Sequence, residues 1–254
     1  MTNHFELLES KRKHIINYSL EKLPEKSLIE DALYKAWKTQ PSKNNMMAYN
    51  VDVYGPDKKS YKENIWKMCN QNHKRTDVEY NAKGYSNVTK DAEKNPNPNY
   101  NHVRSSAYLF VFSQRLVKKA NPFYEMMIET GEHVADEMIP DIMSSLREHV
   151  SIEIGIFCAN LTNYLLSSGL DISYNLCFSK DLKKWHEYGF THMQSAPVVM
   201  MSTGYGIKTR QDELNQSKIY RNLKMKLKTH PDYKPAIEEI IKWRNLDNDR
   251  SISR

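Results

Sequence analysis

Apolar residues from Phe5 to about Ile16 fall near helical spacing, with no Gly or Pro between them, which predicts a first helix carrying the basic run Lys11, Arg12, Lys13 and His14 at its end. Leu23-Pro24-Glu25 opens a second helix through Ala36, because Leu28, Ile29, Ala32, Leu33 and Ala36 make one buried stripe before Pro41 stops it. From Tyr49 to Tyr54 the pattern switches to alternation, a half-buried strand that breaks at Gly55-Pro56, and Tyr61 to Cys69 can be a short helix. Ala107 to Phe112 is apolar at every position and of strand length, so both its faces should be covered. Val150 to Leu166 is mostly apolar all round, the mark of a helix buried at a domain centre or a subunit interface, and Ser167-Ser168-Gly169 ends it. Ile172 to Phe178 and Ala196 to Thr203 are further strands, separated by a short amphipathic piece from Leu182 to Tyr188.

Between these elements lie two stretches without an aliphatic stripe. Residues 71–101 are rich in Asn, Lys, Asp and Tyr and include Asn95-Pro96-Asn97-Pro98-Asn99, a long polar loop or lid. The C-terminal extension, 211–254, is basic and polar with one convincing helix at Ala236 to Trp243, and needs another surface to lie on. No repeat or composition shift divides the chain, so residues 1–254 are expected to form a single α+β domain.

Charge changes this picture modestly. Lys and Arg outnumber Asp and Glu by 37 to 31, which favours anionic ligands such as phosphates without demanding nucleic acid. The basic residues are scattered and match no nucleic-acid-binding module. Cys69, Cys158 and Cys177 form no CxxC pair, His133, His149, His186 and His192 have no paired-ligand spacing, and neither a disulfide framework nor a metal site is expected. A reducing, cytoplasmic location follows, with no membrane partner, since no apolar run approaches the roughly 20 residues of a span.

Three separated segments carry candidate chemistry. The run Lys11 to His14 offers guanidinium and ammonium donors for a phosphate, although such runs are usually solvated. Pro41-Ser42-Lys43-Asn44-Asn45 follows an amphipathic helix and presents a hydroxyl, amides and free backbone N–H groups, or is an ordinary helix stop. Lys208 and Arg210 follow Gly204-Tyr205-Gly206 at a strand end, a second phosphate candidate.

In this order the segments resemble the FMN-dependent nitroreductase family over about Lys11 to Arg210. Arg12-Lys13-His14-Ile15-Ile16 with Tyr18 matches its N-terminal basic motif, and Pro41 to Tyr49 its P-S-x-x-N-x-Q-P-W loop. Gly155, Ala159-Asn160-Leu161 and Ser168-Gly169-Leu170-Asp171 match its central helix, and Gly204-Tyr205-Gly206 the turn ending its last strand. The resemblance implies a mostly antiparallel central sheet surrounded by helices, and a homodimer exchanging a C-terminal arm. It also implies bound FMN and ping-pong hydride transfer from NAD(P)H to a small electron-poor molecule, with no catalytic side chain. Arg12, Lys208 and Arg210 would hold the phosphate with Lys13 and His14 nearby. Pro41, Ser42 and Asn45 would lie along the ribityl chain or ring, Asn99 and His102 at the pyrimidine edge, and Leu176 and Cys177 near flavin N5. Phe123 and Tyr124, in a Met-rich segment, would cover the ring and choose substrate.

Departures from the pattern bear on chemistry. Ile16 stands where the family places a cation beside flavin N1 and O2, where negative charge gathers on reduction, so that His102 is left as a partial substitute. Met47 replaces Gln, Tyr49 replaces Trp, and Cys177 replaces a Gly beside the ring. A specialised flavin enzyme, such as a dehalogenase or a modification enzyme, and a flavin-binding relative with little turnover both remain open alternatives.

Overall fold

A computed structural model describes residues 6, 8, 11–42, 47–72, 100–115, 126, 129–131, 135–209 and 212, with side chains described from 149 onward in the long helix and up to 69 in the helix that ends at Asn72. The chain divides into two units, 1–212 and 213–254, and the described residues belong to the first. Their element order is β1 (Ile15–Tyr18), α1 (Lys26–Lys38), β2 (Tyr49–Tyr54), α2 (Lys59–Asn72), α3 (Asn101–Ser105), β3 (Tyr108–Gln114), α4 (Ala135–Ser167), β4 (Asp171–Asn175), α5 (Leu182–Glu187), β5 (Pro197–Gly204) and β6 (Gly206–Thr209).

The strands β2, β3, β5 and β4 pair in that order, all antiparallel, into one sheet, and β1 pairs with β6 in a separate two-stranded ribbon. The unbroken apolar run on β3 has a direct cause. Tyr108, Phe110 and Phe112 point to one face, where they pack with Ile29, Ala32 and Ala36 of α1 and Ile154, Phe157 and Leu161 of α4. Leu109 and Val111 point to the other, against Ile65, Trp66 and Met68 of α2, Val103 of α3 and Trp185 of α5. A strand covered by helices on both faces cannot alternate in polarity.

Residues 149–167 of α4 reach the length and apolar character of a membrane span, longer than the sequence pattern suggested, with half of this stretch buried inside the protein. Its inward residues fill the core, and Asn160 Nδ2 donates to Thr39 Oγ1 (3.2 Å) at the end of α1. Lys62 of α2 is buried and donates Nζ–H to the carbonyls of Ser106 (2.6 Å) and Ala107 (3.4 Å) just past α3. Burial, with Lys59 adding repulsion, pulls its ammonium pKa down to about 8.

The first helix expected through Ile16 is corrected: Ile15 to Tyr18 are a strand. Two consecutive β-branched residues favour extended backbone, and β6 supplies the partner that makes it worthwhile. Of residues 71–101 only Gln71, Asn72, Tyr100 and Asn101 are described; the first two end α2, and Tyr100 caps α3, which begins at Asn101. The expected helix at 236–243 lies outside the described residues.

Candidate functional site

The ribbon brings the two basic segments together. In it Lys208 lies opposite Asn17 and Thr209 opposite Ile15, so Arg12, Lys13 and His14 leave β1 at the end where Lys208 and Thr209 leave β6. Arg12, Lys13 and His14 are exposed and Lys208 is half-buried. Burial raises the Tyr174 hydroxyl pKa, and the charge of Arg12 opposes that rise, so Arg12 is within electrostatic reach of Tyr174 on β4. Arg210 lies outside the described residues.

Two contacts fix the ribbon on β4. Gly206 N–H donates to Asp171 Oδ2 (2.8 Å), and Ser173 Oγ–H donates to the Ile15 carbonyl (2.5 Å). As β4 advances from Asp171 to Ser173, its ribbon neighbour changes from Gly206 to Ile15, so the end of β4 points toward the basic end of the ribbon. Gly206, the first residue of β6, is closely packed. A Cβ on Gly206 would stand 2.8 Å from Ile15 Cδ1 and 3.0 Å from Asp171 Oδ2. Gly206→Val is therefore expected to cost about 2 kcal/mol or more, read as a lower denaturant midpoint; an unchanged midpoint would show that the ribbon is not packed as described.

The same end of the sheet gathers the other segments. The paired residues Tyr49 and Gln114, Ser113 and Pro197, and Asn175 and Met200 bring together the start of β2, the end of β3, the start of β5 and the end of β4. The loop holding Pro41 and Ser42 enters β2 there. Gln40 Nε2 donates to the Glu153 carbonyl of α4 (2.8 Å), and Tyr49 O–H donates to Gln40 Oε1. Ser42 Oγ accepts the Met47 N–H (2.9 Å), while Arg115 donates Nη2–H and Nε–H to the Met47 carbonyl (3.0 and 3.3 Å). Met47 has φ of 46°, a left-handed conformation that a side chain resists, and these bonds on both sides hold it there. Asn45, Asn99, Phe123 and Tyr124 lie outside the described residues.

After β4, Asn175 Oδ1 accepts the Cys177 N–H (2.7 Å) and its Nδ2 donates to Cys69 Sγ (3.3 Å). This bend turns Leu176 outward, 63% exposed, with an exposed Cys177 beside it. Cys69 is buried, and burial pushes its thiol pKa up to about 12, so it is inert at neutral pH.

Two expectations about charge are overturned. Ile16 is 0% exposed and belongs to the core, so it occupies no ligand-facing position among the described residues. His102 is likewise buried on α3, with Nδ1 2.7 Å from Ser202 Oγ and its ring edge-on to His14 at 5.8 Å between centroids. Burial, with a smaller contribution from His14, lowers its pKa to about 3, so His102 is neutral and cannot stand in for a cation.

Sequence reasoning missed Ser173, Arg115 and Asp212, which shape the site without matching any family motif, and it matched Asp171 to the central helix without foreseeing its bond to Gly206. Only Asp212 carried a readable signal, the capping spacing Thr209-x-x-Asp212. Among the described residues no group of three His, Cys, Asp or Glu is placed to hold a metal ion.

No sequence profile of a known family matches the chain. No curated protein matches it in sequence either. Solved structures match its fold along nearly its whole length. A Staphylococcus epidermidis protein assigned as an NAD(P)H:FMN oxidoreductase superposes with a TM-score of 0.61 at 14% identity, covering 96% of this chain and 97% of its own. An assigned nitroreductase of Exiguobacterium sibiricum, crystallised with FMN, gives 0.59 at 17% identity, covering 96% and 98%. A nitroreductase-like protein of Streptococcus mutans gives 0.56 at 16% identity, covering 96% and 100%.

Proposed function

We propose that this chain, whose α+β fold is nitroreductase-like, is a cytoplasmic homodimeric flavoprotein that binds FMN and transfers hydride from NAD(P)H to a small electron-poor acceptor, such as a nitroaromatic or a quinone. The observation that carries it is the convergence of Arg12, Lys13, His14 and Lys208 at one end of the β1–β6 ribbon, toward which β4 leads Leu176 and Cys177. That donor set suits a phosphate monoester, with a guanidinium for two oxygens and ammonium groups for the remaining charge. The lysine and arginine excess is thereby used where an anion binds.

When bound, the flavin would supply hydride acceptance and donation, which no side chain here provides. The chain's own residues bind and orient. Arg12, Lys13, His14 and Lys208 would hold the phosphate, and Pro41 and Ser42, next to Gln40 that is bonded to α4, would border the ribityl chain. The backbone at Leu176 and Cys177, fixed by Asn175, would border the ring and exclude water from it. Donor and acceptor would use one pocket in turn, a ping-pong sequence.

The homodimer reading rests on the outward face of α4. Ile152 is exposed there together with the small residues Gly155 and Ala159, a surface that lets a second helix approach closely. A second functional reading has its own support. His102, the substitute that the sequence offers for a cation beside flavin N1 and O2, is buried and neutral, which favours a flavin-binding relative with little turnover.

One sample tests these readings. Purified protein is expected to show an oxidised-flavin spectrum that bleaches on anaerobic addition of NADH or NADPH, and to sediment at twice the 29.9 kDa chain mass. Colourless protein that gains no spectrum with FMN overturns the proposal, and a spectrum that persists under both donors selects the low-turnover reading.

A further inference from the structure

We propose that Asp212 is an internal counter-anion of the phosphate cluster and sets how tightly that cluster holds a phosphate monoester. This rests on the flavin reading for the identity of the ligand, although the contacts themselves do not depend on it. Thr209, the last residue of β6, donates its N–H to Asp212 Oδ2 at 2.8 Å and its hydroxyl to the same oxygen at 2.6 Å, while Thr209 Oγ1 lies 3.1 Å from the Asp212 N–H. The carboxylate therefore sits on a backbone donor at the mouth where Lys13, His14 and Lys208 emerge. Its pKa is held down by the Thr209 hydrogen bonds first, and then by the charges of Lys13 and Lys208, which places both lysines within electrostatic reach.

Thr209-x-x-Asp212 is a reciprocal cap, and capping alone accounts for the contact with Thr209. It does not account for a negative charge set among cations that would bind an anion. A phosphate dianion arriving at Lys13 and Lys208 meets a negative charge already within their electrostatic reach. Attraction of the two lysines is shared between the ligand and Asp212, and each anion weakens the other's hold by the same factor. Because Asp212 is exposed, the effect is modest and salt-dependent.

Asp212→Asn separates the two roles, since its amide oxygen still accepts the Thr209 N–H while the charge is gone. FMN affinity of the full chain, measured by fluorescence quenching, is expected to rise by about twofold to fivefold in D212N, and the gain to shrink at about 0.5 M salt. Riboflavin, which lacks the phosphate, is expected to bind wild type and variant alike. FMN affinity that is unchanged or weaker in D212N, at an unchanged melting temperature, overturns the proposal and leaves Asp212 as a cap only. Should the variant melt early, Asp212→Ser keeps a capping oxygen without charge and is held to the same criterion. If wild type takes up neither flavin, the flavin reading has failed on its own. Inorganic phosphate, followed by phosphorus NMR, then decides: tighter binding by D212N sustains the counter-anion, and equal or absent binding ends it.

Discussion

Replacing Arg12 and Lys208 together with methionine is expected to weaken FMN binding by about 100-fold while leaving riboflavin binding nearly unchanged. Charge-assisted hydrogen bonds contribute roughly 1.5–3 kcal/mol each. Arg12 is exposed and Lys208 only half-buried, so solvent and salt reduce each to about the lower end. A loss of about 1.4 kcal/mol is a factor of ten, and two such losses multiply only if the residues act independently. Since both serve one phosphate, measuring the single variants as well gives the coupling directly. The two cations come from segments almost 200 positions apart that meet only because β1 pairs with β6. Equal loss of FMN and riboflavin would mean that the substitutions damaged the fold, and no loss of either would remove the cluster from cofactor binding.

How much of this could be read from the chain alone depended on whether the cause was local. Tyr49 to Tyr54 and the run at the centre of β3 were legible because a strand's alternation, or its absence under two layers of helices, is written in consecutive residues. The buried stripe of α1 was legible for the same reason. Ile15 and Ile16 were misread as the end of a helix because their extended state depends on β6, a partner with no strand signature of its own in Gly-Ile-Lys-Thr. α3 was invisible: five residues, beginning with Asn101, form no pattern, and they are helical because Val103 and His102 are buried beneath the sheet and the ribbon. In the candidate site the charged residues were legible as types. Which of them are solvated and which are desolvated was not, since burial is a tertiary property; His102 fell on the wrong side of that division. The loop at Ser42 was legible by motif, while the Arg115 side chain that holds it through Met47 comes from beyond the end of β3 and carries no sequence signal.

Acidification is expected to destabilise the protein through His102, and His102→Gln to remove most of that dependence. The ring is buried between α3 and β5, bonded to Ser202 Oγ, and its folded pKa is about 3. In the unfolded chain the pKa returns to about 6.5. Between these values the unfolded state binds the extra proton and the folded state does not. The stability contributed by neutral burial is therefore fully present above about pH 6.5 and is lost as pH falls, by about 1.4 kcal/mol per unit, until the folded form also protonates near pH 3. At pH 5 the deficit is roughly 2 kcal/mol, a substantial share of the roughly 5–15 kcal/mol that holds a domain folded. Glutamine can still bond Ser202 without titrating, so urea midpoints of wild type and H102Q should diverge from pH 7 to pH 5, with wild type falling faster. Parallel falls would place the acid sensitivity in other groups and show that His102 protonates without cost. The same burial explains why the site must find its positive charge elsewhere: a histidine kept neutral to support the ribbon's hydrogen-bonded underside, where Tyr18 O–H bonds the Ser202 carbonyl at 2.9 Å, is unavailable as a cation for any ligand.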